Sequence, residues 1–551
     1  MRLKKQQSGI LNQLLLYSPI LLCILIMLPR LVSPQFGLFD DGNSLITAQK
    51  ITHGVWDMRV DYLSGRFRPI YWLFFTLFYW LFGKNPFWYF LGNTLVFSIT
   101  AFCIIQLVLV ISKSRLQAWA SGILFVLAGP TIENYYTLSK GEPVQVGFLC
   151  ISLLGITAYT LYEGRWKRMA VILATASAIL LSDMTKEMSL VLLPISLVWF
   201  LASWLGLKRS QDQLGFITCR AYLTSNVISS VAFVALRTYY VTMGVTGGTY
   251  AGNYILSFSH FLASILRWAG WLIHDFSYIV PLVIILLIVY LFEKRLLQSA
   301  LLFNTLVWMG AWVVAYLPWA LMAEYYMLPF TVGISVFGGI LIPQAVEKLT
   351  SPDRRKRMGV GIGLGFSVLL LLVTLMNNVS NARIQLAVDA ANSEMLGYVI
   401  GNIPPNSAVW VNIQGPNEYT DEIEMHLAKV KDRPDINFDI FKFQTVAIKD
   451  DSNPQNYYII APEIMNQPLL VVRLGVQESS QKNWNGSLQG YMGDNWKTVY
   501  ATEHHFRLLN IDLPRLFCPF MRFLNYCSSP VPSIDRRIFS YGWKVYNLTT
   551  P

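Results

Sequence analysis

Runs of about twenty apolar residues recur along this chain, and each is long enough to cross the hydrocarbon core of a bilayer as a helix. They lie near 10–29, 87–111, 117–133, 144–162, 168–184, 188–206, 220–241, 275–293, 297–319, 326–347 and 358–377. Basic residues gather at every second boundary: Lys113 with Arg115; Arg165, Lys167 and Arg168; Lys208 and Arg209; Lys294 and Arg295; and Arg354 to Arg357. Loops rich in Lys and Arg stay in the cytoplasm. The pattern therefore predicts a polytopic α-helical protein of about eleven transmembrane helices, with the N-terminus inside and everything after Asn378 outside.

Composition agrees with a chain dissolved largely in lipid. Hydrophobic residues make up 54% and charged residues 14%, against roughly 25% charged in soluble domains. The formal charge of +11 sits in short hinges between apolar runs, which points to anionic lipid headgroups and away from nucleic acid. Arg2, Lys4 and Lys5 precede the first run as in a signal peptide, but the run has spanning length and no small-residue cleavage site follows. It reads as a retained helix in a plasma (inner) membrane. Two shorter aromatic-rich stretches, 70–83 and 258–273, suit helices lying in the outer interface; short spanning helices are the alternative.

Near residue 380 the pattern changes. Charged and amide residues return, and Pro and Asn punctuate short segments. The reading is a membrane domain over 1–379, with a first external loop at 30–86, and an extracytoplasmic α/β domain over 380–551. "SAVWVNI", "INFDIFKF", "NYYIIA" and "PLLVVRLG" read as strands, and "NEYTDEIEMHLAKVK" as a helix. Cys518 and Cys527 fall in the outer part, where a disulfide is chemically allowed. The sequons at Asn378, Asn485 and Asn547 are no more than chance yields.

Ionisable residues expected on the outer side carry the chemical signal. "LFDDGNSL" holds the adjacent carboxylates Asp40 and Asp41, followed within thirty residues by Arg59, Arg66 and Arg68. A carboxylate pair can hold a divalent metal or remove a proton from a hydroxyl, and guanidinium groups grip phosphate. A lone loop aspartate would be a solvated residue or a helix cap. "LLSDMTKEMSLVLLP" brings Asp183, Lys186 and Glu187 between two apolar helices; "PTIENYYTLSKGEPV" adds Glu133, Lys140 and Glu142; "LMAEYYMLPF" adds Glu324. Topology predicts that all of these ring one outward-facing cavity. There is no Walker A loop, no Gly-x-Ser-x-Gly elbow and no Cys/His cluster with zinc spacing; "TEHHF" lacks the i, i+4 spacing of a helical zinc site.

The acidic pair after the first helix, the stretch "GRFRPIYWLFFTLFYWLFGKNPFWYFLGNTLV" and the element "MTKEMSLVLLP", in that order, resemble the GT-C superfamily of membrane glycosyltransferases that use polyprenyl-phosphate-linked sugars. Within it the chain looks most like the protein O-mannosyltransferase branch and its bacterial relatives. The layout covers roughly residues 10–350, the motifs far less. The resemblance implies an inverting transferase in which Asp40 acts as base on the acceptor hydroxyl with Asp41 as partner, while Arg66, Arg68 and Lys186 meet the lipid phosphate. It leaves the cofactor open, with a divalent metal on Asp40 and Asp41 as one option, and the acceptor as a lipid, glycan or protein. Gly42 follows the acidic pair where many relatives carry an aromatic or a further acid, and no tetratricopeptide repeats follow the membrane part. An O-antigen ligase or polymerase would carry its long loop late in the chain. A lipid or solute transporter would line a through path with its charges, and the absence of an internal repeat weakens that reading.

Overall fold

A computed structural model describes residues 13–37, 41–55, 66–210, 213–241, 253–293, 300–320, 323–350, 352–411, 433, 435–440, 456–465, 496–507, 509–511, 513, 534–535 and 538–548. Fifteen α-helices are described: α1 (Ser18–Val32), α2 (Asp41–Thr52), α3 (Pro69–Phe82), α4 (Pro86–Ser112), α5 (Arg115–Leu127), α6 (Gly129–Tyr136), α7 (Glu142–Thr157), α8 (Arg165–Asp183), α9 (Leu192–Ser210), α10 (Gln213–Val241), α11 (Phe258–Phe276), α12 (Val280–Glu293), α13 (Ala300–Tyr316), α14 (Leu328–Lys348) and α15 (Arg354–Asn402). Among the described residues seven helical stretches are long and apolar enough to cross a membrane, and α1, α3, α5 and α13 are shorter apolar helices. Leu21, Leu25, Leu28, Leu95, Ile99, Ile362, Phe366 and Leu369 stand exposed on helix flanks, as lipid-facing residues do. The chain is a multi-pass helical membrane protein.

Helix ends follow local chemistry. Pro86 opens α4 behind Asn85, whose side chain accepts from the Phe87 amide, so the orphan donors of the first turn are met. Ser114 does the same for α5 through the Gln117 amide. The expected span 117–133 breaks in two, since Ala128 is extended and Gly129 and Pro130 start α6 on a new axis. Helix α14 is the buried centre of the bundle and packs on α5. A Cβ at Gly339 would lie 2.0 Å from Ser121 Oγ and 2.7 Å from its backbone nitrogen. Only a hydrogen there lets the two backbones approach so closely, which is how helices gain contact where lipid gives no hydrophobic drive.

The last helix changes role along its length. With 49 residues, α15 is roughly 74 Å long at the helical rise, more than twice the thickness of a bilayer core. It runs without a break through residues 379 and 380, where the composition shifts. Its later turns bury Ile384, Val388, Ala391, Met395 and Val399, a three-and-four spacing that lays one face on a sheet. That five-stranded sheet has the order β2-β1-β3-β7-β4 (β1 Ala408–Val411, β2 Asn437–Ile440, β3 Tyr457–Met465, β4 Trp496–Arg507, β7 Ile538–Leu548). β1 pairs in parallel with β2 and β3, while β7 runs antiparallel to both β3 and β4. A two-residue pair, β5 (Asn510–Ile511) with β6 (Ile534–Asp535), stands apart.

Polar contacts join helix and sheet. Asn392 Oδ1 accepts from Tyr541 OH (3.0 Å) and Trp543 Nε1 (2.7 Å). Glu394 Oε2 accepts from Thr502 Oγ1 (2.5 Å), with His504 Nε2 at 3.1 Å. The Arg433 guanidinium reaches the Ile400 and Ile403 carbonyls and so caps the C-terminus of α15. Strands expected at "SAVWVNI", "INFDIFKF" and "NYYIIA" correspond to β1, β2 and β3; β4 and β7 are additional. "TEHHF" lies on β4, where Glu503 and His505 share one face and His504 turns to the other. The helix expected at 417–431, the strand at 468–475, Cys518, Cys527 and Asn485 lie outside the described residues.

Candidate active site

The turn between α8 and α9 is the frame of the site. Asp183 ends α8 wholly buried, its Oδ2 accepting from Ser229 Oγ on α10 at 2.7 Å. Thr185 Oγ1 folds back onto the Leu181 carbonyl (2.7 Å), and Lys186 then takes an extended backbone before a 3-10 turn over Glu187–Val191. A buried hydroxyl–amide network fixes this turn against α7: Gln145 Nε2 donates to Ser189 Oγ (2.7 Å), and Ser182 Oγ lies 2.8 Å from Ser189 Oγ. These contacts deliver Lys186 to Glu142, a buried carboxylate on the first turn of α7, and the two form an ion pair. Lys186 thus pairs across the fold with Glu142 rather than with its neighbour Glu187.

Glu187 holds the first loop in place. Its Oε1 accepts from the Phe67 amide at 2.6 Å and lies 3.4 Å from Arg237 Nε. The Ile70 amide donates to the Met184 carbonyl at 3.2 Å, so residues 67–70 are docked on the α8–α9 turn at two points. Pro69 starts α3 there, with its fixed φ in the first helical position. Arg68 is thereby carried over the rings of Tyr71 (5.2 Å) and Trp72 (5.9 Å).

Two tyrosines that the sequence reading did not single out complete the cluster. Tyr325 and Tyr326 sit on the 3-10 turn Glu324–Met327. Lys140 Nζ lies 3.8 Å from the Tyr325 ring centre, and Lys186 Nζ lies 4.2 Å from that of Tyr326 and 5.6 Å from that of Tyr325. Asn134 Nδ2, on α6, donates to the Tyr325 carbonyl and anchors the turn (2.9 Å). Burial, and after it the charges of Arg68, Arg66 and Lys140, press the Lys186 ammonium well below the ordinary lysine range; its ion pair with Glu142 works the other way. Four cations thus act on one small volume, and an additional anion there would relieve their mutual repulsion.

The acidic element reaches this cluster through α2. Asp41 opens α2 almost fully buried, and the Gly37 amide donates to its Oδ2 at 2.7 Å. Ser44, one turn on, lies 3.1 Å from Tyr71 OH, which also contacts the Ser139 carbonyl at 3.2 Å. The ring that supports Arg68 is therefore tied to α2 on one side and to the loop bearing Lys140 on the other. Asp40 and Arg59 lie outside the described residues. Glu133 is half-buried on α6. Glu324 opens the turn that carries Tyr325 and Tyr326 and meets His274 and Asp275.

No protein-family model matches the chain, and no curated protein matches it in sequence. Among solved structures it is similar to ArnT from Cupriavidus metallidurans bound to undecaprenyl phosphate, at 12% identity and a TM-score of 0.45, covering 83% of this chain and 94% of that one. It is also similar to the archaeal oligosaccharyltransferase AglB from Archaeoglobus fulgidus in complex with an inhibitory peptide and a dolichol-phosphate, at 12% identity and a TM-score of 0.48, covering 76% of this chain and 64% of that one. ArnT and AglB are GT-C superfamily membrane glycosyltransferases.

Proposed function

We propose that this protein is an inverting glycosyltransferase that moves a sugar from a polyprenyl-phosphate donor to an acceptor hydroxyl at the outer face of the membrane. The observation that carries the reading is the gathering of Arg66, Arg68, Lys140 and Lys186 around one Glu142 ion pair, with α2 and its acidic start tied to the same group through Ser44 and Tyr71. A cation-rich cluster in a helical membrane protein suits a lipid phosphate, since guanidinium and ammonium groups stabilise the charge that grows on a departing phosphate.

In the step proposed, Asp40 takes the proton of the acceptor hydroxyl, with Asp41 beside it in sequence. The acceptor oxygen forms a bond to the anomeric carbon as the bond from that carbon to the phosphate oxygen breaks. The electron pair leaves with the phosphate, where Arg66, Arg68 and Lys186 receive the charge. General-base assistance and charge stabilisation are separable, and each contributes several kcal/mol to such reactions, on the order of 3–5. The carboxylates Asp40 and Asp41 also suit a hard divalent cation in chemistry. The acceptor in this reading is a lipid, a glycan or a protein, and its selection is the role we assign to the sheet domain.

The test is sugar transfer from a radiolabelled mixture of polyprenyl-phosphate sugars by purified wild type and Asp40→Asn. Loss of transfer in a folded Asp40→Asn protein that still binds donor is the expected result. Equal transfer by both would move the base to Asp41 or Glu142. No turnover of any donor by wild type would reject the transferase reading in favour of a ligase or a transporter.

A further inference from the structure

His274 and Asp275, at the end of α11, and Glu324, at the start of the turn before α14, come from separate parts of the chain, yet their nearest ligand atoms all lie within 4.8 Å of one another. The donors of a tetrahedral site with metal–ligand bonds near 2.1 Å stand about 3.4 Å apart, so small side-chain rotations would close the set around one ion. Asp275 is wholly buried. Its Oδ1 lies 3.0 Å from His274 Nδ1, its Oδ2 finds no N–H or O–H donor of fixed position among the described residues, and the Glu324 carboxyl is its neighbour.

A buried carboxylate oxygen without a donor is costly, and a second carboxylate close to it makes matters worse unless a proton or a cation lies between them. The surroundings nevertheless favour negative charge. Asp275 abuts the N-terminus of α6, where the helix dipole is positive, and a Cβ at Gly129 would come within 2.4 Å of Asp275 Oδ1. The glycine thus leaves room for the carboxylate against the helix end. The His274 side chain is partly exposed, which gives a route of entry.

We propose that His274, Asp275 and Glu324 form a binding site for a single divalent transition metal, with zinc the best match. One imidazole and two carboxylates are a borderline-soft set that suits zinc better than calcium or magnesium, and three protein ligands leave a fourth position for water or a ligand oxygen. The site is separate from the Asp40–Asp41 pair. By holding Glu324, the ion fixes the turn whose Tyr325 and Tyr326 rings face Lys140 and Lys186. Metal uptake stands independently of the transferase reading, because it is measured with no sugar donor present.

The experiment takes the full chain in nanodiscs, stripped by a chelator, and titrates it with Zn²⁺ by calorimetry and with Co²⁺ by visible absorption. Wild type should take up one equivalent and give the intense band of a four-coordinate cobalt site. Asp275→Asn and His274→Gln should each weaken uptake at least about tenfold. His274→Gln, at a partly exposed position, keeps the test open should Asp275→Asn fold poorly. Absence of stoichiometric uptake by wild type would overturn the proposal. So would uptake unchanged in His274→Gln, or uptake lost on Asp41→Asn but kept in the other two variants.

Discussion

Two ion pairs bind distant parts of this molecule, and they differ in their surroundings. Arg30, near the end of α1, meets Asp389 on α15 at 2.7 Å, its guanidinium between the rings of Phe90 (4.9 Å) and Tyr136 (5.4 Å). One cation faces one carboxylate, and the rings close off the rest. Lys186 and Glu142 also pair, but Arg66, Arg68 and Lys140 crowd the same lysine. The first contact is neutral and sealed, as befits a fastener between the membrane bundle and the sheet domain. In the second, several cations act on one lysine, a surrounding that suits the approach of an anion.

Breaking the sealed pair should have the largest effect. Arg30→Ala leaves Asp389 buried without its partner, and stability measured by thermal unfolding in detergent should fall by about 3–5 kcal/mol. Replacing both partners with apolar residues, Arg30→Met with Asp389→Leu, should restore most of that loss. Lys186→Ala should behave in the opposite way. Transfer should drop about 10²–10³-fold, the scale for removing one donor that stabilises developing charge, while the loss of stability stays smaller than in Arg30→Ala because other cations of the cluster remain near Glu142. If Lys186→Ala instead unfolds the protein as Arg30→Ala does, the contrast between the two pairs fails.

Asn392→Leu should cost about 2 kcal/mol, because Tyr541 OH and Trp543 Nε1 lose their shared acceptor. Limited proteolysis should then cut the sheet domain while the bundle resists. The pH profile sharpens the comparison further. The Lys186 pKa is lowered and its charged form is the one proposed to bind phosphate, so donor affinity should be full where the ammonium holds its proton. It should decline as pH rises through a value below the ordinary lysine pKa of about 10.4. Lys186→Arg should abolish that alkaline decline, since a guanidinium keeps its charge. The smallest effect belongs to Asp435, whose carboxyl is held below its ordinary range by the Arg433 hydrogen bonds. Its contribution should be present at neutral pH and lost as pH falls through its folded pKa. Asp435→Asn should therefore cost under about 1 kcal/mol at pH 7 and progressively less in acid.

Apolar run length made the bundle legible in the sequence, because lipid demands an unbroken apolar helix at each crossing. Cluster members near helix ends were legible for a related reason. Lys140, Glu142, Lys186 and Glu187 are charges that interrupt apolar text, and the fold brings Glu142 and Lys186 together across 44 positions. The partners that do not look charged were harder to see. Tyr325 and Tyr326 read as ordinary aromatic packing beside Glu324, and only the fold shows which cations they face. His274 and Asp275 were hidden for another reason: their third partner, Glu324, is far away in sequence, and no spacing rule joins them. β7 does alternate, with Tyr541, Trp543 and Val545 buried, but Ser540, Lys544 and Asn547 dilute the pattern. β4 is more polar still, and its Thr502 and His504 face Glu394 on α15 rather than an apolar core.

The most direct test of the central claim is the affinity of the full chain in nanodiscs for a polyprenyl phosphate without sugar, compared between wild type, Lys186→Ala and the double variant Arg30→Met with Asp389→Leu. If the cation-rich cluster receives the lipid phosphate, Lys186→Ala should lose binding by about ten- to a hundredfold, the 1.5–3 kcal/mol of a hydrogen bond to a charged group, while the double variant binds as wild type does. Equal binding by wild type and Lys186→Ala, with both folded, would contradict the account and place the phosphate elsewhere.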